Sequence, residues 1–259
     1  MRPSSRTASR SVRIGCRSRG AAAVGLALIA LPALAAHPLL TEDTGTQGKG
    51  RFELELGYAQ ARGNGVTALE FAPQLSYGAL DSVDLIARPT WLDVRGAPMI
   101  GNARGAGDTG VDFKWRFFER DRLSFGIRAG ADMPTGDADK GLGNGKVSPH
   151  ATLIAQYAPQ RWMFAANIDY AYDPVIGDRR DAWAATAAAV YTLDAVWRAS
   201  AEVGTATNPD STQSSWLTVA RFGAIATVAR GIDVDVGWQA RLTRATSAQV
   251  LLAGATLHW

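Results

Sequence analysis

Cysteine is almost absent from this chain, since Cys16 is the only one among 259 residues. It precedes the apolar run of residues 21–31, whereas the cysteine of a lipoprotein would follow such a run. The N-terminal stretch that contains Cys16 is itself predicted to be removed. The remaining chain then has no disulfide, no thiol nucleophile and no thiolate metal site.

The sequence also lacks an apolar segment long enough to cross a membrane as a helix, which takes ~20 residues. The run of residues 21–31 follows six arginines without an acid and precedes the small-x-small triplet Ala33-Leu34-Ala35. We predict a signal peptide over residues 1–36, cleaved on export through the inner membrane. A transmembrane anchor is the alternative.

The sequence without this segment has no excess of basic residues. The full chain has 27 Lys and Arg against 24 Asp and Glu, and the six arginines of the signal leave 21 against 24. The net positive charge therefore belongs to the predicted signal. It gives no reason to expect nucleic-acid binding.

What the rest of the sequence does contain is alternation of apolar with polar or small residues. In residues 109–118, Val111, Phe113 and Trp115 alternate with Asp112 and Lys114. This period of two is typical of strands. We predict twelve of them, over residues 51–60, 67–77, 83–92, 109–118, 123–133, 147–157, 162–172, 182–193, 196–204, 216–228, 232–242 and 248–259.

A soluble sandwich would also alternate, but other features favour lipid. Short links such as residues 119–122 alternate with longer ones such as 61–66, 93–108 and 134–146, as periplasmic turns and external loops do. Aromatic side chains concentrate near strand ends, where membrane interfaces favour them. The predicted interface tryptophans are Trp91, Trp115, Trp162, Trp183, Trp197, Trp216, Trp238 and Trp259.

The predicted fold is therefore all-β: a transmembrane antiparallel up-and-down β-barrel of about twelve strands over residues 51–259, in the bacterial outer membrane. Closure follows because an open sheet edge would leave backbone polar groups unpaired in lipid. An even strand count places both termini in the periplasm. The C-terminal strand, which ends in Trp259, is predicted to bind the barrel-insertion machinery.

Charged residues of both signs fall on the polar faces of these strands. They either brace a narrow interior or line a water-filled pore. Twelve strands lie between a filled eight-stranded barrel and an open porin, which favours a constricted channel. The lumen-lining candidates are Glu53, Glu55, Glu70, Asp84, Arg88, Asp112, Lys114, Arg116, Arg128, Asp132, His150, Asp169, Arg198, Glu202, Arg221, Asp233, Asp235 and Arg241.

Some apolar residues share this inward parity, and they indicate either an apolar patch or strands whose parity slips at a bulge. Prolines at positions 73, 89 and 149 hint at such irregularities. The inward apolar residues are Ile86, Leu92, Ile154, Val190, Leu217, Val219 and Ile225.

Residues 37–50 lie between the signal and the first strand and have no strand pattern. They are rich in glycine and in hydrogen-bonding side chains, which suits a small plug in the barrel mouth. A flexible periplasmic leader is the alternative, and a metal site at Glu42 and Asp43 is a weaker one. The plug candidates are Thr41, Glu42, Asp43, Thr44 and Thr46.

This leader, His37-Pro38-Leu39-Leu40-Thr41-Glu42-Asp43-Thr44-Gly45-Thr46-Gln47-Gly48-Lys49-Gly50, resembles the opening of the outer-membrane family of the MetA pathway of phenol degradation, whose members are often called transporters. The segments Met133-Pro134-Thr135-Gly136-Asp137 and Gly141-Leu142-Gly143-Asn144-Gly145-Lys146 extend the resemblance. It implies an outer-membrane barrel that passes small, often aromatic or apolar compounds. It implies no catalytic residue.

A passive channel for small-molecule solutes is thus the predicted function, with outer-membrane lipids around it and no metal or cofactor. A structural or interaction barrel with a closed lumen is the alternative. An outer-membrane hydrolase would need a base and a nucleophile, for which His150 and Ser148 are the nearest candidates. No Gly-x-Ser-x-Gly motif accompanies them, so we do not predict an enzyme.

Overall fold

The computed structural model describes residues 38–97, 101–174, 179–209, 216–243 and 249–259. The predicted signal peptide lies outside the described residues. Within them, a single antiparallel sheet contains every strand, and the strand after the leader pairs with the last strand of the chain.

The strands follow one another along the chain as neighbours in the sheet. Their bounds are β1 Phe52–Gly63, β2 Val66–Leu80, β3 Val83–Arg88, β4 Trp91–Ala97, β5 Gly101–Ala106, β6 Thr109–Arg120, β7 Leu123–Met133, β8 Ser148–Tyr157, β9 Trp162–Tyr172, β10 Asp181–Thr192, β11 Trp197–Thr207, β12 Trp216–Ala229, β13 Ile232–Arg241 and β14 Gln249–His258.

These fourteen segments form twelve barrel strands. β3 and β4 pair in turn along β2, so together they make the third strand. β6 pairs with β3 and β5 with β4, so β5 and β6 make the fourth. β1 pairs with both β2 and β14, which closes the sheet into a barrel. The predicted twelve-stranded antiparallel barrel is confirmed.

The third strand is interrupted where two prolines face each other across the sheet. Phe71 pairs with Trp91 and Leu75 with Ala87, which places Pro73 opposite Pro89. Proline has no N–H, so the hydrogen-bond ladder is lost at this point. At Pro149, in contrast, the strand continues and inward parity does not change, since Ser148 and His150 are both buried.

Two predicted loops were wrong. Residues 61–66 were expected to form one of the longer links, but β1 and β2 meet in a tight turn at Asn64 and Gly65, both with positive φ. An Asn-Gly pair is the strongest short signal for such a hairpin. Residues 93–108 were expected to be a loop, but residues 93–97 extend the third strand and residues 101–106 form β5. Glycines in residues 101–107 carry no side chain and so hid the alternation there.

The barrel has two ends, which we name by their connections. The turn end carries the first and last residues of the barrel and tight links such as Asp121–Arg122, and the loop end carries the turn at Asn64 and Gly65 and the link of residues 134–147. At one turn, the backbone N–H groups of Trp197 and Val196 hold the pKa of Asp194 below its usual range.

The outer face is a belt of large apolar side chains. All eight predicted interface tryptophans lie on this face and are exposed, from 39% for Trp238 to 60% for Trp259. Between them lie aliphatic residues such as Val111, Leu153 and Ile168. In the part of the chain described, no helix is long and apolar enough to cross a bilayer.

Candidate functional site

The leader lies inside the barrel. We name residues 38–50 the plug segment. Its last residue is fixed at the turn end, where Gly50 N–H donates to Gly78 O at 2.8 Å. The backbone passes so close to the wall that a Cβ on Gly78 would lie 1.8 Å from Gly48 O, so only glycine fits there. From this point the segment runs into the lumen, and Thr41, Glu42 and Thr44 are buried.

Glu42 is the main charged contact of the plug segment. Lys114 Nζ lies 2.8 Å from Glu42 Oε1, and Arg128 Nη1 lies 2.7 Å from Glu42 Oε2. The amide of Asn167, oriented to satisfy both bonds, accepts from Glu42 N–H at 2.7 Å and donates to Glu42 C=O at 3.0 Å. Both the side chain and the backbone of Glu42 are therefore bound by the wall.

Arg128 connects this contact to a wider buried network. It is fully buried, and its Nη2 donates to Asp112 Oδ2 and to Gln74 Oε1, both at 2.9 Å. His150 Nε2 lies 2.5 Å from the other oxygen of Asp112. Charges buried in this way need partners on every side, because an unpaired buried charge costs several kcal/mol. The wall and the plug segment supply those partners together.

A second anchor works in the opposite sense, with a wall carboxylate that binds the plug backbone. Glu202 accepts from Leu40 N–H at 2.7 Å, and also from Thr41 through its N–H and its hydroxyl. Beside it, Arg221 Nη1 donates to Pro38 O at 3.0 Å. The plug segment lies directly against the strand backbone here, since a Cβ on Gly223 would be 2.6 Å from Pro38 Cγ.

Neutral groups of the wall also hold the segment, at Thr44 and Thr46. Thr44 Oγ1 lies 2.6 Å from Ser124 Oγ, and Thr44 N–H donates to Gln156. Thr46 Oγ1 donates to Asp81 O at 2.9 Å, and Asp43 accepts from Gly45 N–H within the segment. The predicted lumen-lining residues did not include Ser124, Gln156, Asn167 and Gln74. Their inward parity was the available signal, but they carry no charge.

The eighteen lumen-lining candidates all lie on the inner face, though not all at the plug segment. Lys114, Arg128, Glu202 and Arg221 contact it directly, and Asp84 accepts from Gln47 N–H. The other buried candidates are Glu55, Glu70, Arg88, Asp112, His150, Asp169 and Asp235. The half-buried candidates are Glu53, Arg116, Asp132, Arg198, Asp233 and Arg241.

The apolar residues with inward parity do point into the barrel, so a shift of parity at a bulge is not needed to explain them. Ile86, Leu92, Ile154, Val190, Leu217 and Val219 are buried, and Ile225 is half-buried. Val190 packs with Ala188, Met163 and Leu39 of the plug segment. Leu92 packs with Ala103 and with Leu142 of the loop after β7.

A cavity of about 380 Å³ lies beside the plug segment at the turn end. Plug residues from Leu39 to Gln47 form one side, and inward residues of most barrel strands form the others. The lining includes carboxylates, among them Glu53 and Glu55, together with apolar groups such as Met163 and Val190. The lumen is thus narrowed by the plug segment but keeps a space of the size that small ligands occupy.

The two hydrolase candidates, His150 and Ser148, form hydrogen bonds with other residues. His150 is bound to Asp112 and lies 3.7 Å from Asp132 Oδ2, while Ser148 Oγ accepts from Asn144 Nδ2 at 3.0 Å. Among the described residues, no group of three His, Cys, Asp or Glu side chains is arranged to hold a metal ion.

A closed antiparallel barrel with an apolar belt and a charged interior defines the class of transmembrane β-barrels. The sequence profile of the family described as the MetA-pathway of phenol degradation matches residues 38–259. The chain belongs to this family, so the resemblance stated above is confirmed.

Solved structures share the fold at low sequence identity. The COG4313 outer membrane channel from Pseudomonas putida F1 is 15% identical with a TM-score of 0.64, over 84% of this chain and 98% of that one. The NanC porin is 10% identical with a TM-score of 0.58, over 79% and 98%. The KdgM porin in complex with disordered oligogalacturonate is 8% identical with a TM-score of 0.56, over 79% and 99%. No curated protein matches the sequence.

Proposed function

We propose that this protein is a narrow outer-membrane channel for the passive passage of small molecules, with its turn end in the periplasm. The observation that carries the proposal is the cavity of about 380 Å³ between the plug segment and the wall. The names of the solved structures of similar fold, which are a channel and two porins, support it. The plug segment sets the width of the path.

The solutes we propose include apolar and aromatic compounds. The family description supports this class, since phenol is a small aromatic molecule. The inner wall offers apolar side chains along its height, from Ile225 in the cavity to Leu92 near the loop end. An apolar solute can contact such a wall without losing hydrogen bonds to water that the wall would fail to replace.

A barrel with a closed lumen is the second candidate function. The anchors at Glu42 and Glu202 favour it, because they fix the plug segment inside the lumen. Planar-bilayer recordings of the purified protein separate the two. Steady conductance is expected for the channel, and silence at every voltage and salt concentration would support the closed barrel instead.

We propose no catalytic role. The contacts of His150 support this, since its two ring nitrogens lie 2.5 Å from Asp112 and 3.7 Å from Asp132, and no hydrogen bond joins either nitrogen to Ser148. The His150→Ala variant is expected to keep solute flux in liposomes. A hydrolase activity of the native protein that disappears in this variant would show that the proposal is wrong.

We also propose that Trp259 serves assembly, through recognition of the last strand by the insertion machinery after export with a cleaved signal peptide. Trp259 exchanges two backbone hydrogen bonds with Phe52, at 2.9 and 3.1 Å, and their rings stack. Deletion of Trp259 is expected to lower the amount of protein in the outer membrane. Normal levels of the shortened chain would contradict this role.

A further inference from the structure

The cavity beside the plug segment has two chemically different sides. Carboxylates come from β1 and β13, which flank β14 in the barrel, and they are Glu53, Glu55, Asp233 and Asp235. The apolar side chains of the other side come from β9 and β10, and they are Met163 and Val190. β1 and β9 are the first and the seventh of twelve barrel strands, so Glu53 and Glu55 lie across the lumen from Met163 and Val190, whereas Ile225 of β12 pairs with Asp235 of β13.

The lining carries more negative than positive groups, and most of its charges are already paired. Lys114 binds Glu42 and Asp43, and Arg198 Nη2 lies 2.6 Å from Asp233 Oδ2. At Glu53, His258 Nδ1 lies 2.9 Å from the carboxylate. The cations that line the cavity are therefore engaged with acids other than Glu55.

Glu55 stands apart from this pairing. Glu55 is only 6% exposed. In the described part of the chain, no Lys, Arg or His nitrogen lies within 4.0 Å of its carboxylate. Its Oε1 accepts from Gln74 Nε2 at 2.6 Å, and the oxygen of the same amide accepts from Arg128. Arg128 thereby fixes the amide with its N–H₂ toward Glu55. A neutral amide offsets only part of the cost of burying a carboxylate, and a cation in the cavity would offset far more.

We propose that this cavity is a binding site for small organic cations, namely protonated amines that carry an apolar or one-ring substituent. The ammonium would bind at Glu55, and the substituent would lie against Val190 and Met163. The plug residue Leu39 extends this apolar side, since it packs on Val190. This inference rests on the proposed function, because it names a solute class that the channel would select.

The test is equilibrium binding to the full-length protein purified from outer membranes, measured by titration calorimetry with 2-phenylethylammonium. The matched probe is 2-phenylethanol, which has the same carbon skeleton without the charge. A charge-assisted hydrogen bond exceeds a neutral one by an amount that corresponds to about tenfold in Kd, so the ammonium is expected to bind about tenfold more tightly. Equal affinity for the two probes would overturn the proposal.

Variants locate the effect. Glu55→Gln is expected to abolish the preference for the ammonium, and Glu55→Asp is expected to retain it. The control is Asp121→Asn in an exposed turn, where a positive φ of 55° suits asparagine, and it is expected to bind like the native protein. A preference that survives Glu55→Gln would overturn the proposal.

Val190→Thr provides a second test of the site, which can be used if Glu55→Gln fails to fold. This change places a hydroxyl on the apolar side, so it is expected to weaken both probes by the same factor. Unchanged binding of both would overturn the proposal. Preferential ammonium binding by a protein that is silent in bilayers would contradict the channel and leave this site standing, whereas conductance without any preference would contradict this site alone.

Discussion

The two faces of one strand differ in how strongly the surroundings restrict the residue at each position. On β6, Phe113 and Trp115 point outward and are 43% and 46% exposed, whereas Asp112 and Lys114 point inward and are buried. An outward side chain needs only to be apolar, because lipid fits any apolar shape. An inward side chain has partners at fixed distances, such as Glu42 for Lys114. The specific chemistry of this barrel therefore lies on its inner face.

Among substitutions on the two faces, Arg128→Met is expected to lower the free energy of unfolding the most. The change leaves Glu42 and Asp112 without the guanidinium that they share, and a broken buried ion pair typically costs about 3–5 kcal/mol. The free energy of unfolding, measured in detergent by denaturant titration, is expected to fall by that amount. Arg120→Met is the control, since Arg120 is 82% exposed, and an equally small effect at both positions would contradict the ranking of the two faces.

Glu202→Gln is expected to have an intermediate effect, because it keeps the shape of the side chain and removes only its charge. The bonds from Leu40 N–H and Thr41 N–H lose their charge assistance, which weakens the plug anchor by about 1–2 kcal/mol. The readout is maleimide labelling of Thr44→Cys, a buried position in a segment without other cysteines. Labelling is expected to accelerate about tenfold in the Glu202→Gln background.

The control for this experiment is Asp121→Asn, which is expected to leave the labelling rate unchanged. The same rate in the Glu202→Gln and Asp121→Asn backgrounds would show that the wall carboxylate does not hold the plug segment.

Phe113→Leu is expected to have the smallest effect. Both side chains are apolar and face lipid, so the free energy of unfolding should change by less than about 1 kcal/mol. The same denaturant titration measures it. A loss as large as that of Arg128→Met would show that the outer face is as specific as the inner one.

The sequence made the strands predictable because alternation repeats locally. The charges at positions 112, 114, 128 and 202 could be assigned to the interior because inward parity follows directly from that alternation. The plug contacts could not be predicted in this way. Glu42 is 86 residues from Arg128, and Leu40 is 162 residues from Glu202, so no local pattern connects them.

The split of the third and fourth strands was also missed, for a related reason. Pro73 and Pro89 were recognised as irregular, but their juxtaposition depends on the register between β2 and the third strand. The glycines of residues 101–107 gave no alternation to detect. Local periodicity thus predicts which elements exist, whereas register and long-range pairing decide where they are interrupted and what fills the lumen.

Bilayer conductance of the protein with and without residues 38–47 measures whether the plug segment sets the width of the path. The barrel closes through β1 and β14, which the deletion leaves intact. We expect a several-fold larger single-channel conductance after the deletion. Equal conductance of the two proteins, both folded as judged by heat-modifiable gel mobility, would contradict it.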